Sequence, residues 1–395
     1  MRAAHPSDPA LPWPVVGAAF CASLVGIGLA RFAYTPLLPA LVGAHWFDAA
    51  DAAYLGAANL AGYLAGALLG RPMAARVATA RLLRGLMLLA AAAFAACAAP
   101  VSFGWFFVWR FAAGLAGGGL MVLAAPTVLA GVPLARRGLA GGLIFMGVGT
   151  GVAIAGTLVP LLLQRGVRAA WLGLALLSLA LTAAAWAGWP RQGAPAPAAP
   201  PLPPPRGNAP VWLLYGEYAL NVAGWVPHMV FFVDFIARGL GRGVAVGAHY
   251  WIVFGLGATA GPVLAGAVAD RIGFGRTLRL GYAIEGCAVL LPVLSIHPLA
   301  LGISALVVGA FVTGTVPLVL GRVHELLPGD AAGQRAAWSR ATAAFALLQA
   351  AAAYALSFVF ARSGGSYALL FGLGTAAVAA ALVTSLVSAN LARRG

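Results

Sequence analysis

Glu217, Asn221 and His228 fall at i, i+4 and i+11, within about 40° of one another on a helical wheel. A carboxyl withdrawn from water exchanges its proton near neutral pH, and an imidazole titrates there already. Glu217 and His228 are therefore candidates for proton coupling. Asn221, His228 and Trp225, which the wheel places on the same side, are candidates to hold a solute. Glu285, in a later apolar stretch, is a further candidate acid, and Asp234 reads as a rim residue. The opposite charge lies earlier in the chain. Gly28, Arg31 and Thr35 are spaced by three and four and share a helical face; Tyr34 sits beside them, and Arg110 is embedded among apolar residues. An arginine inside a membrane-spanning stretch costs about 2.5–3.5 kcal/mol on insertion scales and normally faces the bundle interior or water. Two such cations, with no buried acid in the same half of the chain, suit an anion or a solute carrying a carboxylate. Blander readings stand beside these: Arg31 snorkelling to the outer surface, Arg110 paired with a carbonyl or carboxylate, and Glu217 among cytoplasmic headgroups.

Residues of this kind can be positioned here only by helices in a bilayer. The 395-residue chain is 62% hydrophobic and 8% charged, with a mean hydropathy of +0.94, whereas about a quarter of residues are charged in soluble domains. Runs long enough to cross about 30 Å of hydrocarbon lie near 14–42, 51–70, 82–100, 103–132, 138–163 and 169–189, then 211–236, 247–269, 277–296, 299–325, 337–361 and 366–390. The expected fold is an all-α membrane protein of twelve transmembrane helices in two six-helix bundles, 1–189 and 211–395. Residues 190–210 join them as a Pro-rich linker that favours extended polyproline conformations. The short N-terminus, Met1 to Pro12, is followed by no convincing cleavage site, so the first run reads as an uncleaved span.

All 24 basic residues are arginine, and the formal net charge is +15. They cluster in short turns, which is a topology signal and gives no reason to expect nucleic acid. With the N-terminus inside, the cytoplasmic turns and ends carry most of the arginines, while the opposite side has only Arg165, Arg168, Arg238, Arg242 and Arg362. Both termini and the linker are thus expected in the cytoplasm of a bacterial inner membrane. Cys21, Cys97 and Cys287 lie in apolar runs without paired spacing and read as small core residues. No metal cluster, nucleotide-binding loop or nucleophile with a positioned base is visible, so no cofactor and no enzymatic activity are expected.

Gly266-Ala-Val-Ala-Asp270-Arg271-Ile-Gly273-Phe-Gly275-Arg276 reads as a compact polar turn between two apolar runs. An eroded copy, Gly66-Ala-Leu-Leu-Gly70-Arg71-Pro-Met-Ala-Ala-Arg76, lies 200 residues earlier (266 − 66, 271 − 71, 276 − 76), so the two halves run in parallel. In this reading Gly266 allows close helix approach, Asp270 faces the positive end of another helix, and Arg271 and Arg276 anchor the turn. A solvated turn is the plainer alternative for Asp270. The stretch Gly266-x-x-x-Asp270-Arg271-x-Gly273-x-x-Arg276 resembles the loop signature of the major facilitator superfamily. Trp109-Arg110-x-x-x-Gly114 resembles a second element of that superfamily, with Ala310 and Gly314 as its counterpart 200 residues on. Gly26-Ile-Gly28-Leu-Ala-Arg31-Phe-Ala-Tyr34-Thr35-Pro36-Leu-Leu-Pro39 is similar to the first span of its YbfB/YjiJ-type branch, with weaker support from Arg335 to Gln349. The glycines between Gly142 and Pro160 loosely resemble an antiporter element, although close helix packing explains them equally well.

The resemblance implies alternating access between two bundles, with the loop at Gly266, Asp270, Arg271, Gly273 and Arg276 as a cytoplasmic latch. It also ranks Glu285 below Glu217, because the ninth span usually supports the others. Together these readings predict a monomeric, proton-coupled secondary transporter of a small organic solute, most simply an anion. Its partners would be the lipid bilayer, the solute and protons. The alternative is proton-driven efflux of hydrophobic compounds, suggested by the aromatic content and the glycines of the fifth span.

Overall fold

The computed structural model describes residues 13–129, 131–132, 137–190 and 209–394. Twelve helices among them are long and apolar enough to cross a membrane. In chain order they are α1 Trp13–Gly43, α2 Ala49–Arg76, α3 Thr79–Ala96, α4 Phe103–Leu129, α5 Arg137–Leu163, α6 Val167–Ala185, α7 Ala209–Gly239, α8 Gly243–Ile272, α9 Phe274–Leu294, α10 Pro298–Leu326, α11 Ala331–Arg362 and α12 Tyr367–Arg394. Most of the linker expected at 190–210 lies outside the described residues; α7 already includes Pro210, in a first turn where its missing N–H costs nothing.

Glycines set the tightest helix pairs. A Cβ on Gly62 or Gly66 of α2 would strike the carbonyls of Phe111 or Leu115 on α4, and one on Gly114 or Gly118 would strike those of Asn59 or Tyr63. The pair α8 and α10 repeats this pattern, with Gly257 on Leu306, Gly261 on Ala310 and Gly309 on Phe254. Such backbone-to-backbone approach is how helices gain contact where apolar burial offers no advantage over lipid. The corresponding glycines are 195 residues apart (257 − 62, 261 − 66, 309 − 114), so the expected spacing of 200 is a register error. Arg271 corresponds to Arg76 and Gly266 to Arg71; Arg110 corresponds to Ala305, not Ala310. Gly266 itself has open space where a Cβ would stand, so it brings no helices together.

Contacts between the first six and last six helices gather from mid-span toward one end, where α1 turns into α2. Gly149 and Gly156 of α5 abut Thr259 and Ile252 of α8, and Gly255 abuts Ala153. The Tyr54 ring of α2 lies 6.4 Å from that of Tyr354 on α11, the two tilted by 35°. The fifth-span glycines are thus packing residues: Gly147 and Gly151 seat α5 on Phe20 and Gly28 of α1. At the opposite end Asp270, Arg271 and Arg276 are exposed. Cys97 is buried, but Cys287 is exposed on the bundle surface, against the core role expected for it.

Candidate functional site

The site begins with a break in α1. Leu24–Leu29 is wound as a π-helix and 30–33 as turns before the α-helix resumes at Tyr34; the N–H groups of Ala30 and Phe32 reach back five residues, to Val25 (2.9 Å) and Ile27 (3.4 Å). This extra winding splits the face predicted for Gly28, Arg31 and Thr35. Gly28 turns to Gly151 of α5, whereas Arg31 and Thr35 turn to Met229 of α7. Side chains satisfy the carbonyls exposed at the break, as a span requires. The Ala30 oxygen accepts from Arg110 Nη1 at 3.1 Å and Asn59 Nδ2 at 3.3 Å, and the Phe32 oxygen accepts from Trp251 Nε1 at 3.1 Å.

Both central arginines are buried, Arg31 at 8% and Arg110 at 2% exposure, so Arg31 does not snorkel. Its Nε donates to the Met229 thioether at 3.2 Å, and its guanidinium carbon lies 5.1–5.6 Å from the ring centres of Phe32, Tyr63 and Trp225. The Arg110 guanidinium lies 4.2 Å from the Tyr34 ring centre, a desolvated cation–π contact, and Tyr34 is held by its hydroxyl on the Ala52 carbonyl at 2.7 Å. Arg31 Nη2 and Arg110 Nε are buried without a hydrogen-bond partner. Arg31, Tyr34, Asn59, Arg110 and Met229 line a cavity of about 10 Å³, room for one water.

The acids occupy a second cluster. Asn221 donates through Nδ2 to Glu285 Oε2, and Glu217 lies beside Ser385 of α12. His228 Nε2 meets Ser304 Oγ at 2.7 Å, while Ser304 donates to the Ala288 carbonyl at 2.6 Å. A hydroxyl has one proton to give, so Ser304 accepts from His228, which fixes the Nε2–H tautomer and leaves Nδ1 bare. Glu217 Oε2, Glu285 Oε1, Asn221 Oδ1 and His228 Nδ1 are buried without partners.

The predicted face of α7 therefore exists, but it turns toward α9, α10 and α12, away from the first half. Trp225 points the other way, to Arg31 and to Phe345. Glu285 is bonded directly to Asn221, so the ninth span contributes to this cluster. Asp234 is no rim residue: it is fully buried, clasped by both Nε and Nη2 of Arg238, and accepts from the Tyr367 hydroxyl at 2.6 Å. At the loop, Asp270 and Arg271 belong to the last turn of α8, with Gly273 at φ 84° as the joint. The carboxylate that meets a helix N-terminus there is Glu325 of α10, which accepts from the Phe274 N–H at 2.9 Å and pairs with Arg322 at 2.8 Å. Asn59 could have been found as an amide within an apolar run. Tyr63, Met229 and Ser304 carry no comparable signal.

The family model described as "Uncharacterised MFS-type transporter YbfB" matches residues 23–386. A search of curated proteins finds no match. Among solved structures, one titled "Crystal structure of D-xylose-proton symporter" superposes with a TM-score of 0.69 at 14% identity, covering 95% of this chain and 97% of that one; at that identity the likeness speaks for the fold. With twelve spans, two glycine-paired repeats and a family match over nearly its whole length, the chain belongs to the YbfB family of the major facilitator superfamily, a multi-pass membrane transporter and not an enzyme.

Proposed function

We propose that this transporter moves a small organic anion across the bacterial inner membrane by alternating access, as a monomer with both termini and the 190–210 linker in the cytoplasm. The observation that carries the anion reading is the pair Arg31 and Arg110, buried where the halves meet and each with an unengaged N–H. A carboxylate supplies the charge-assisted bonds those groups lack. The cavity between them has room for no more than one water, so a solute enters only when the halves separate. With the termini inside, the contacts of α1 with α7 and of α5 with α8 close the outer side, and the exposed Asp270 loop marks the side that opens inward.

Proton coupling is assigned to Glu217, His228 and Glu285. Each is buried in the helix bundle, where gaining or losing a charge changes the cost of burial. Asn221 ties Glu285 to α7, the same helix that bears Met229 and Trp225 against Arg31. Protonation in the second cluster is thereby linked to the wall of the first. Efflux of hydrophobic compounds is the second reading, and the rings of Phe32, Tyr63 and Trp225 around Arg31 favour it. Counterflow in proteoliposomes separates the two: organic acids drive exchange on the first reading, lipophilic compounds on the second.

A further inference from the structure

Gln349 of α11 is 1% exposed, and both its amide oxygen and its amide nitrogen lack a partner. Each of the other buried orphans among the described residues, Asn59 and Asn221 included, has only one such atom. An amide buried with neither end bonded forfeits its hydration for nothing, and a Leu or Met would pack there at no such cost.

Its direction follows from its neighbours on the helix. Trp338 and Phe345 of α11 pack on Tyr218 of α7, Phe345 also on Trp225, and Phe360 on Phe231. Gln349 is four residues beyond Phe345, and eleven residues separate it from both Trp338 and Phe360. Those intervals return to one face within about 40°. The face that meets α7 therefore carries Gln349 to the stretch that begins at Trp225, whose ring centre lies 5.6 Å from the guanidinium carbon of Arg31.

Building on the anion reading, we infer that Gln349 is a substrate contact, and that the substrate is a carboxylate bearing a hydroxyl. The carboxylate engages Arg31 and the hydroxyl engages Gln349. A hydroxyl both donates and accepts, which matches an amide with both ends open. Gln349 thus sets specificity, and the arginines set charge.

The test uses the full-length protein, purified and reconstituted, with probe acids that differ by one hydroxyl: lactate against propionate and malate against succinate. Wild type favours the hydroxylated member of a pair by tenfold or more, because a site built to bond a hydroxyl rejects the analogue lacking it. Gln349→Met keeps the volume and removes the amide, and brings the pair within twofold. The variant also melts no lower than wild type, as expected if the amide is kept for binding. A preference that survives Gln349→Met, equal binding of both members by wild type, or a lower melting temperature removes Gln349 from the site and leaves the anion reading standing. Wild type that binds none of the four acids overturns both.

Discussion

The hydroxyl of Thr35 donates to the main-chain oxygen of Met229 at 2.5 Å, so the first helix of one half is pinned to the first helix of the other by a bond that leaves Met229's thioether free for Arg31. A bond across a moving seam biases one conformation. A net value of about 1 kcal/mol corresponds to a roughly fivefold change in population. Thr35→Val should shift the protein by that factor toward the state open at the α1–α2 end. Labelling of a cysteine placed at Tyr54 reads the change, and unchanged labelling would mean that the seam does not depend on this bond.

Arg110 should prove more demanding than its charge alone. Arg110→Ala is expected to weaken binding of an anionic ligand by about 10- to 100-fold, the range for losing a hydrogen bond to a charged group. Arg110→Lys should recover only part of it, since the ammonium keeps the charge without the planar fork. Isothermal titration of both variants decides the matter; wild-type affinity in the Ala variant would end the anion reading at this residue.

Glu217→Gln fixes the side chain in the form of a neutral acid. Accumulation driven by a pH gradient should collapse toward equilibrium while solute exchange continues. Glu285→Gln is the companion variant, because Asn221 connects that carboxyl to the same helix. If both variants still concentrate solute to the wild-type level in vesicles, neither carboxyl carries the proton.

Asp270 stands near the C-terminal end of α8, where the helix dipole disfavours a negative charge. Asp270→Asn should therefore leave the melting temperature level or raise it slightly, while turnover in proteoliposomes falls through slower switching. Normal turnover would reduce Asp270 to a surface residue.

The corrected register makes a stability prediction. Gly66→Ala drives a Cβ into the Leu115 carbonyl and should cost about 1–3 kcal/mol, whereas Gly266→Ala enters open space and should stay within about 0.5 kcal/mol. Thermal unfolding in detergent compares them directly, and equal effects would contradict the 195-residue alignment.

The span count and the polar face of α7 were legible because both depend on local pattern: apolar length for one, and the intervals between Glu217, Asn221 and His228 for the other. Where that face points was not legible, since its neighbours Glu285, Ser304 and Ser385 reach it from three other helices. The winding of Leu24–Leu29 also leaves no mark in spacing, and it misassigned Gly28. The repeat was misread for a different reason. With 52 glycines in 395 residues, Gly66 and Gly266 align by coincidence, and only the atoms each glycine touches distinguish a structural pair from a chance one.

The Ala30 carbonyl, which receives both Arg110 and Asn59, bears on biogenesis. Ribosomal synthesis delivers the acceptor before either donor, so when the arginine-bearing span leaves the translocon its oxygen partner is already in the bilayer. Moving the first span to the end of the chain by circular permutation would reverse that order, and Arg110 would have to wait in lipid without its partner.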